Sequence, residues 1–274
     1  MRLINKFREI SLAVLFFLAV SCFSVKPVFA ETDQTINDKI IKQLESSGAL
    51  DRAVEKSLER IKLKEIAAQK AEEEKRHLSQ IKQAANLRPV DPSRDFIFGD
   101  PAAVVSIIEF SDFECPYCKA FFETPKKVVN DMPKQVNLVW RNFPLDFHNP
   151  VATEEAVGAV CASKQGGNSV FWKFAGSIFN NTKLNGKGVG EKEGSAALIQ
   201  LASKEGLNIK DFKTCISSEA PRKMVQADIE DGKKAGINGT PGVILINHKN
   251  GKMDVLAGAV SVETLKEAIN KLMR

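Results

Sequence analysis

The sequence predicts an α/β protein preceded by a separate helical segment. A continuous β-forming run at 103–110 is followed by a helix-like stretch at 119–130 and by a second strand at 136–142. Strand, helix and strand in this order form a parallel βαβ unit with both strands buried. Ahead of this unit, residues 31–88 hold no proline and are rich in Lys, Glu, Gln, Ala and Ile, which is a helical composition.

The length and charge of the chain limit what it can be. Its 274 residues, of which 43% are hydrophobic, are enough for one large domain or two modest ones. The formal net charge is +5, but the first thirty residues account for +3 of it and the rest of the chain carries +2. We therefore expect no nucleic-acid partner.

Residues 1–30 have the pattern of a secretory signal peptide. A basic start is followed by an apolar run from Ile10 to Val20 and by Val28-Phe29-Ala30, which fits a cleavage site. The run is shorter than the ~20 residues that span a bilayer, which disfavours an uncleaved anchor. Lipidation at Cys22 is disfavoured because no leucine stands three residues before it. We predict export and cleavage after Ala30.

Residues 31–88 predict a helical stalk that joins copies of the chain. A helix from Ala49 to about Ala85 would be roughly 55 Å long at ~1.5 Å per residue. The stalk is charged but carries a narrow apolar seam, so we expect partner helices to cover it. The seam consists of Ile36, Ile40, Leu44, Leu50, Val54, Leu58 and Ile61. The alternative is a hydrated helix packed loosely on its own catalytic domain, and His77 is expected at the surface.

The segment after the stalk predicts a linker. Pro89 and Pro92 end the helix, since proline and the residue before it both resist helical continuation. We expect residues 89–94 to be extended and hydrated. They would join the stalk to a catalytic domain over residues 95–274.

Cys115-Pro116-Tyr117-Cys118, just after the first long strand, is the centre of the predicted active site. Cys115 falls at the N-terminus of the next helix, where unpaired backbone N–H groups and the helix dipole favour a thiolate. Cys118 lies one turn inside on the same side, so the two sulfurs can bond. Pro116 suits the first helical position, because its missing N–H is no loss there. Such a pair serves redox chemistry or binds a soft metal, and the geometry argues for redox.

Two acidic residues lie close to the cysteines. Glu109 interrupts the apolar strand, where a buried carboxylate is costly unless it is protonated or paired. In one interpretation it reaches water at the strand's end. In the other it is a semi-buried acid with a raised pKa that relays the proton of Cys118. We expect Glu114 to point into solvent, because its charge would oppose a thiolate at Cys115.

The remaining elements are read from composition and turn residues. A short strand at 95–98 precedes the first long strand. Five helices lie at 152–161, 170–179, 195–202, 209–217 and 220–235. Two strands at 243–246 and 253–257 and a final helix capped by Ser261 complete the chain. Phe171, Trp172, Phe174 and Phe179 are spaced like a packed helical face rather than a cofactor site.

The motif from Phe110 to Cys118, with Glu109 before it and Gly239-Thr240-Pro241-Gly242 far downstream, resembles the thioredoxin superfamily. Within it, the chain from about Asp95 onward is most similar to the DsbA-like branch, which includes Com1-like and ScsC-like proteins. The resemblance implies a thioredoxin fold with a helical domain inserted at about 150–220. DsbA-like proteins also carry an acid six residues before the first cysteine, as Glu109 does here.

The resemblance assigns roles to further residues. It implies that Pro241 is cis and lies beside Cys115, which leaves the backbone of Thr240 free to pair with an extended substrate strand. Pro116 and Tyr117 would join Thr240 and Pro241 in binding substrate. His148, in the loop after the second strand, resembles a feature of DsbA-like chains, and we interpret it as a residue that orders the loop.

Cys161 and Cys215 are candidates for a second, structural disulfide. Removal of the signal peptide with Cys22 leaves four cysteines, an even number in a compartment where disulfides persist. Some DsbA-like proteins carry such a bridge in their helical domain. The alternative is two separate buried thiols.

These features predict a periplasmic thiol-disulfide oxidoreductase that acts on unfolded or misoxidised exported proteins. Its redox centre would be the Cys115–Cys118 disulfide, with no other cofactor and no metal, and a membrane thiol-disulfide partner would recycle it. The stalk favours an isomerase or reductase, because several active sites facing one substrate raise the effective concentration. ScsC-like proteins assemble trimers through N-terminal helices, so a trimer is favoured over a dimer. The alternatives are a dithiol oxidase that works as a monomer, a Cu(I)-binding protein and a structural interaction module.

Overall fold

The computed structural model describes residues 32–190 and 194–274. The predicted signal peptide, residues 1–30, lies outside the described residues. The chain divides into two compact units, an N-terminal unit that ends at Gln69 and a C-terminal unit from Lys70 to Arg274. None of the helices in these described ranges is both long enough and apolar enough to cross a bilayer.

The N-terminal unit is helical, as predicted. Helix α1 (Thr32–Ser46) ends where Gly48 takes a φ of +62°, a conformation that glycine adopts without strain. Helix α2 (Ala49–Ala84) follows and continues into the C-terminal unit. The large apolar side chains of the predicted seam are all exposed. They are Ile36, Ile40, Leu44, Leu50, Val54, Leu58 and Ile61, and three further apolar residues of the same helices, Ile41, Leu63 and Ile66, are exposed as well.

A five-stranded mixed sheet is the centre of the C-terminal unit. Its strands are β1 (Phe96–Phe98), β2 (Val105–Ser111), β3 (Val136–Asn142), β4 (Gly242–Asn247) and β5 (Met253–Ala257). The strand order is β1-β3-β2-β4-β5. β2 and β3 are parallel, which confirms the predicted βαβ unit, and the other neighbours are antiparallel. Every residue of β2 and β3 is buried, as expected for strands covered on both faces.

Helices cover both faces of the sheet. The stretch predicted at 119–130 forms two helices, α3 (Pro116–Phe121) and α4 (Glu123–Asp131). Between β3 and β4 stand α5 (Val151–Ser163), α6 (Gly167–Asn181), α7 (Gly194–Lys204), α8 (Ile209–Ile216) and α9 (Glu219–Lys234). The last helix is α10 (Val262–Met273), and the Ser261 side chain accepts a hydrogen bond from the backbone N–H of Thr264 at its start. The fold is therefore a thioredoxin fold with inserted helices.

The inserted helices share a core with one face of the sheet. Val105 and Ile107 of β2 lie in the same cluster as the cysteines of the predicted active site and the aromatic residues of α6. Trp140 of β3 stands edge-on to Phe171 and Phe179, with ring centroids 6.0 and 6.1 Å away. The predicted aromatic face of α6 is thus core, as expected.

The opposite face of the sheet packs against α9 and the end of α2. Ile108 and Phe110 of β2 share a buried cluster with Ala84 and Ala235. Gly232 permits the close approach of α9, because a Cβ at this position would stand 2.7 Å from a ring carbon of Phe143.

The residues after α2 form an irregular segment over the predicted linker 89–94, and the charges that flank it are paired. The Arg88 side chain donates hydrogen bonds to Asp95 and, at 3.1 Å, to Asp228. The Arg141 side chain, fully buried on β3, donates to the backbone carbonyls of Arg88 and Pro89 at 3.1 and 3.2 Å. Pro89, Asp91, Pro92 and Ser93 are exposed, as expected of a hydrated segment. The flanking Arg88 and Asp95 are instead held in an ion pair.

The boundary between the units also differs from the predicted one. The last four turns of α2, from Lys70 onward, belong to the C-terminal unit, whereas the sequence placed them in the stalk 31–88. His77 of this segment is half-buried, and its Nε2 lies 2.7 Å from Oδ1 of Asp254 on β5. His77 is therefore at the surface, as expected, and its ring contacts a carboxylate of the same unit.

Candidate active site

Cys115 caps the N-terminus of α3, immediately after β2. Its backbone is extended, its N–H donates to the carbonyl of Asp112 at 3.2 Å, and Pro116 occupies the first helical position. Its Sγ–H donates to the carbonyl oxygen of Thr240, 3.5 Å away. Cys115 itself is 4% exposed, less than expected for the outer thiol, although Pro116 and Tyr117 beside it are exposed. Cys115 and Cys118 are both free thiols.

The pKa of the Cys115 thiol is lowered to about 6. The largest cause is the hydrogen bond from the Cys118 thiol, while burial acts in the opposite direction. The Thr240 side chain and the backbone N–H groups of Tyr117 and Cys118 lower this pKa further. The N–H groups at the helix N-terminus therefore contribute to stabilising the thiolate, as the sequence predicted, while the Cys118 thiol contributes most.

Cys118 has the opposite electrostatic environment. It is fully buried, and burial raises the pKa of its thiol well above the ordinary range. The hydrogen bond to Cys115 and the charges of Cys115 and Glu109 raise it further, whereas Ser111 lowers it. At neutral pH the pair therefore holds a thiolate at position 115 and a proton at position 118.

Glu109 lies on the face of β2 that is turned toward the cysteines. It is fully buried, and neither carboxyl oxygen completes a hydrogen bond with a described residue. Burial raises its pKa to about 7, Cys115 raises it slightly, and Ser111 and Lys126 lower it. Glu109 therefore does not reach water, and the structure agrees with the interpretation of a buried acid with a raised pKa.

Thr240 and Pro241 lie beside Cys115 on the loop before β4. Phe110 pairs with Gly242 in the sheet, so this loop meets the end of β2 at which the active-site turn begins. The Thr240–Pro241 peptide bond is cis, as the resemblance implied. Pro241 is buried and Thr240 is half-buried.

Glu114 is buried, and the expectation that it points into solvent is wrong. Its carboxylate accepts hydrogen bonds from the Thr182 hydroxyl and from the backbone N–H groups of Lys187 and Gly188, the latter two at 2.9 and 3.2 Å. Its backbone carbonyl accepts from the N–H of Asn185 at 2.9 Å. These donors replace water around the charge, and they tie the loop after α6 to the residue next to Cys115.

Asp112 and His148 form a second connection that the sequence analysis did not predict. The Asp112 carboxylate accepts the N–H of Glu114 at 2.8 Å through Oδ1 and the N–H of Leu145 at 2.9 Å through Oδ2. Nδ1 of His148 lies 2.7 Å from the same Oδ2. His148 was expected to order its loop, but its partner lies 36 residues away in sequence and no local pattern marks it.

Glu155 of α5 is a further buried acid near the site, and the sequence analysis missed it. It is 1% exposed, and neither carboxyl oxygen completes a hydrogen bond with a described residue. Burial, together with the nearby carboxylate of Glu114, raises its pKa to about 10. At neutral pH Glu155 is therefore a neutral acid.

Cys161 of α5 and Cys215 of α8 are joined by a disulfide. Their Cα atoms are 5.7 Å apart, within the ordinary range for such bonds. This is the pairing considered from the sequence, and it crosslinks two helices of the insertion. Over residues 32–190 and 194–274, no three His, Cys, Asp or Glu residues are grouped as a metal site requires.

Comparison with known proteins identifies the family. The family model described as Thioredoxin matches residues 92–271, more than half of the chain. The chain belongs to the thioredoxin family. Within this family it has the DsbA-like architecture, as the sequence predicted. The crystal structure of Pseudomonas aeruginosa DsbA2 is 28% identical, with a TM-score of 0.58 over 68% of this chain and 97% of that chain.

Two further structures share the fold at lower identity. Salmonella enterica Typhimurium BcfH has a TM-score of 0.64 and 15% identity, over 88% of this chain and 96% of its own. A linker-deletion and N6K mutant of Proteus mirabilis ScsC has a TM-score of 0.56 and 18% identity, over 92% of this chain and 99% of its own. Both alignments include more of the chain than the C-terminal unit alone.

The curated relatives of this thioredoxin-family chain are much longer proteins. The Na(+)/H(+) antiporter NhaA 1 of Mycolicibacterium gilvum is 29% identical over 165 residues, which are 60% of this chain and 25% of the antiporter. The NhaA 3 of Salinispora tropica is 26% identical over 181 residues, again 25% of its length. The chain thus spans about a quarter of the length of the curated relatives it matches.

Proposed function

We propose that this chain is a periplasmic thiol-disulfide oxidoreductase that acts on proteins through Cys115 and Cys118, as an isomerase or reductase of unfolded or misoxidised clients. The observation that carries the proposal is the Cys115 thiol at the mouth of α3, whose pKa is lowered to about 6 beside a buried second thiol. A thiolate is the nucleophile in disulfide exchange, so Cys115 is ionised and reactive at neutral pH.

The reaction begins at Cys115. Its thiolate attacks one sulfur of a client disulfide, a mixed disulfide forms, and the other client sulfur leaves as a thiolate. In isomerisation, a second client thiolate attacks the mixed disulfide and returns Cys115 to its thiolate form with no net oxidation. In reduction, Cys118 attacks the Cys115 sulfur instead, and the client sulfur bonded to Cys115 leaves as a thiolate. The Cys115–Cys118 disulfide then forms, and two electrons have passed to the client.

The resolving step needs a base for Cys118, and Glu109 fills this role. With a pKa raised to about 7, Glu109 is partly ionised at neutral pH and takes the Cys118 proton as the sulfur attacks. In the reverse reaction it returns the proton. The redox centre is the cysteine pair itself, so we propose no further cofactor and no metal.

Client binding is assigned to the residues around Cys115. The cis Thr240–Pro241 loop lies beside the thiol, and the Thr240 backbone would pair with an extended client segment. Pro116 and Tyr117 are exposed on the other side of Cys115, where a client side chain can contact them. A membrane thiol-disulfide partner would use the same surface when it recycles the cysteine pair.

The N-terminal helices support the isomerase or reductase direction. Their apolar seam is exposed along its length; for example, Leu58 is 60% exposed. Burial of such a seam against copies of itself stabilises an oligomer, for which we favour a trimer over a dimer. Several active sites on one assembly raise the effective concentration around a bound client.

Two activity assays test the proposal. The purified protein should catalyse insulin reduction by dithiothreitol and the refolding of scrambled ribonuclease, and Cys115→Ala should abolish both activities. Activity that survives Cys115→Ala would remove the redox function, leaving Cu(I) binding, testable by metal content, or a purely structural interaction role.

A dithiol oxidase is the second candidate, and one observation favours it. A lowered Cys115 pKa stabilises the reduced pair and so makes the disulfide more oxidising. Alkylation trapping in cells separates the two directions. A Cys115–Cys118 pair that is mostly reduced supports the isomerase or reductase, and a pair that is mostly oxidised supports the oxidase.

A further inference from the structure

One exposed aromatic residue beside the active site has no role in the proposed chemistry. In the described part of the C-terminal unit, the exposed large apolar side chains are Leu78, Tyr117 and Phe147. Tyr117 belongs to the cysteine motif, and Leu78 lies on α2. Phe147 is 76% exposed, the largest fraction among them.

Phe147 stands at the same edge of the sheet as Cys115. β2 and β3 are parallel and end together, with Ser111 opposite Asn142 in the register. The cysteine motif follows β2, and the short 3-10 turn Asp146–His148 follows β3. Phe147 is therefore presented at the edge from which a client approaches the thiolate.

A single buried carboxylate holds both of these loops. Asp112 accepts the N–H of Glu114 on the Cys115 side, and it accepts the N–H of Leu145 and contacts Nδ1 of His148 on the Phe147 side. The Phe147 ring packs against the His148 ring with centroids 4.5 Å apart. The position of Phe147 relative to Cys115 is thus fixed by hydrogen bonds on both sides.

The loop around Gly186 packs against the turn that carries Phe147 and His148. Gly186 lies against the backbone of His148, because a Cβ on Gly186 would stand 3.5 Å from the His148 carbonyl oxygen. The loop around Gly186 is itself tied to the Glu114 carboxylate through the N–H groups of Lys187 and Gly188. The backbone that carries the Phe147 ring is therefore held by contacts to a second loop, which is itself hydrogen-bonded to Glu114.

We propose that Phe147 is a specificity-determining residue that binds an apolar side chain of the client close to its reacting cysteine. This inference rests on the proposed function and names its substrate class: polypeptides that expose an apolar residue near a cysteine or disulfide. Misoxidised chains have this property, because side chains that are buried in native proteins are exposed in them. Burial of part of the exposed Phe147 ring against an apolar client side chain would favour binding.

The test compares two peptide disulfides that differ at one position. One peptide carries leucine two residues from its cysteine, and the other carries serine there. For the wild-type protein, kcat/KM should be higher for the leucine peptide. Phe147→Ser should lower kcat/KM for the leucine peptide by about five- to tenfold, mainly through KM, which corresponds to roughly 1–1.4 kcal/mol of lost contact. Phe147→Leu should retain most of the preference.

Controls separate this proposal from the function on which it rests. Leu78→Ser, an exposed apolar position on α2, should leave the preference unchanged. Glutathione disulfide, which has no apolar side chain, reports on Cys115 alone.

Failure of the wild-type protein to react with any of these disulfides would contradict the proposed function. Normal reaction with equal kcat/KM for the two peptides in wild type and Phe147→Ser would overturn the role of Phe147 alone. A smaller solution mass for Phe147→Ser would also overturn it, since the ring would then be a contact between copies.

Discussion

Burial has different consequences for the two acids that flank the active-site turn. Glu114 keeps three hydrogen-bond donors around its carboxylate, from Thr182, Lys187 and Gly188. Glu109 has none among the described residues, and burial raises its pKa to about 7. A buried acid with donors serves as an anchor, whereas one without them readily takes up and releases a proton.

The pKa of Glu109 predicts how stability changes with pH. Between the unfolded pKa of about 4.3 and the folded pKa of about 7, the folded protein binds more protons than the unfolded chain. The free energy of unfolding therefore falls as the pH rises through this window. Glu109→Gln removes that loss, so relative to the parent it should gain roughly 3 kcal/mol between pH 4 and pH 8.

Urea unfolding at pH 4, 6 and 8 measures this gain. Both proteins should carry Cys115→Ala, so that the thiol does not titrate in the same window. Glu267→Gln, at an exposed position on α10, is the matched control and should show no pH-dependent gain. If the difference in unfolding free energy between Glu109→Gln and the parent is the same at all three pH values, the raised pKa of Glu109 is contradicted.

Glu155 and Glu114 should respond differently to the same substitution. The pKa of Glu155 is raised to about 10, so its neutral form already resembles glutamine, and Glu155→Gln should cost less than about 1 kcal/mol at pH 7. Glu114→Gln replaces one acceptor oxygen by a donor and leaves a buried N–H unpaired, which should cost about 1–3 kcal/mol. Urea unfolding at pH 7 measures the loss of unfolding free energy in each variant. A loss for Glu155→Gln as large as that for Glu114→Gln would contradict a neutral Glu155.

The sequence predicted the residues whose partners are near them in the chain. Cys115, Cys118 and Glu109 lie within ten residues of one another, so strand and helix periodicity alone place them together. Asp112 and Glu114 have partners 33 to 74 residues downstream, which only the folded chain brings close. The error at Glu114 has this cause, since an acid next to a thiolate was assumed to need water.

At the scale of elements, the disulfide joins two helices of the insertion, α5 and α8. It closes a loop of 54 residues around α6 and α7. A crosslink of this span restricts the unfolded chain, which typically stabilises the folded state by about 2–4 kcal/mol. The insertion therefore has a support that is independent of the redox-active pair.

Removal of the Cys161–Cys215 disulfide should lower the stability of the protein and leave disulfide exchange at Cys115 and Cys118 intact. We expect Cys161→Ala/Cys215→Ala to lose roughly 2–4 kcal/mol of unfolding free energy, measured by urea unfolding without reductant. Insulin reduction at 25 °C should continue, because the exchange reaction uses Cys115 and Cys118 and not this disulfide. An unchanged urea midpoint would mean that the two cysteines are not bonded in solution.

Most elements were predictable because their patterns are strong. β3 has the predicted bounds, and α2 and β5 agree with their predicted bounds within one residue at each end. The pairing of the charges that flank residues 89–94 was not predictable, because the local sequence is the same whether such charges are hydrated or paired. Arg141, whose partners include Asp231 at 2.6 Å, decides between these outcomes, and it lies about fifty residues away from the linker.

At the scale of the whole molecule, the N-terminal unit exposes a row of large apolar side chains to solvent. Its apolar seam is exposed over α1 and the first part of α2, and exposed apolar area of this extent favours association. The sequence predicted this seam from its spacing alone, because a helical period of 3.6 residues puts these positions on one side.

A charge placed in the seam should therefore break the assembly. Leu58→Glu/Ile61→Glu should reduce the solution mass, measured by light scattering, from three chains to one. Arg60→Glu, a charge change at an exposed position of the same helix, is the control and should keep the larger mass. Scrambled-ribonuclease refolding should fall with the mass while insulin reduction persists. A parent protein that is already monomeric would contradict the role given to the seam.

The proposed disulfide exchange depends on the ionisation of Cys115, and the pH dependence of Cys115 alkylation measures this ionisation most directly. The reduced protein is treated with iodoacetamide between pH 4 and pH 9, and modification of position 115 is followed by mass spectrometry. We predict a midpoint near pH 6, set by the Cys118 hydrogen bond and the N–H groups of α3. A midpoint at the ordinary thiol value of about 8.5 would contradict the account.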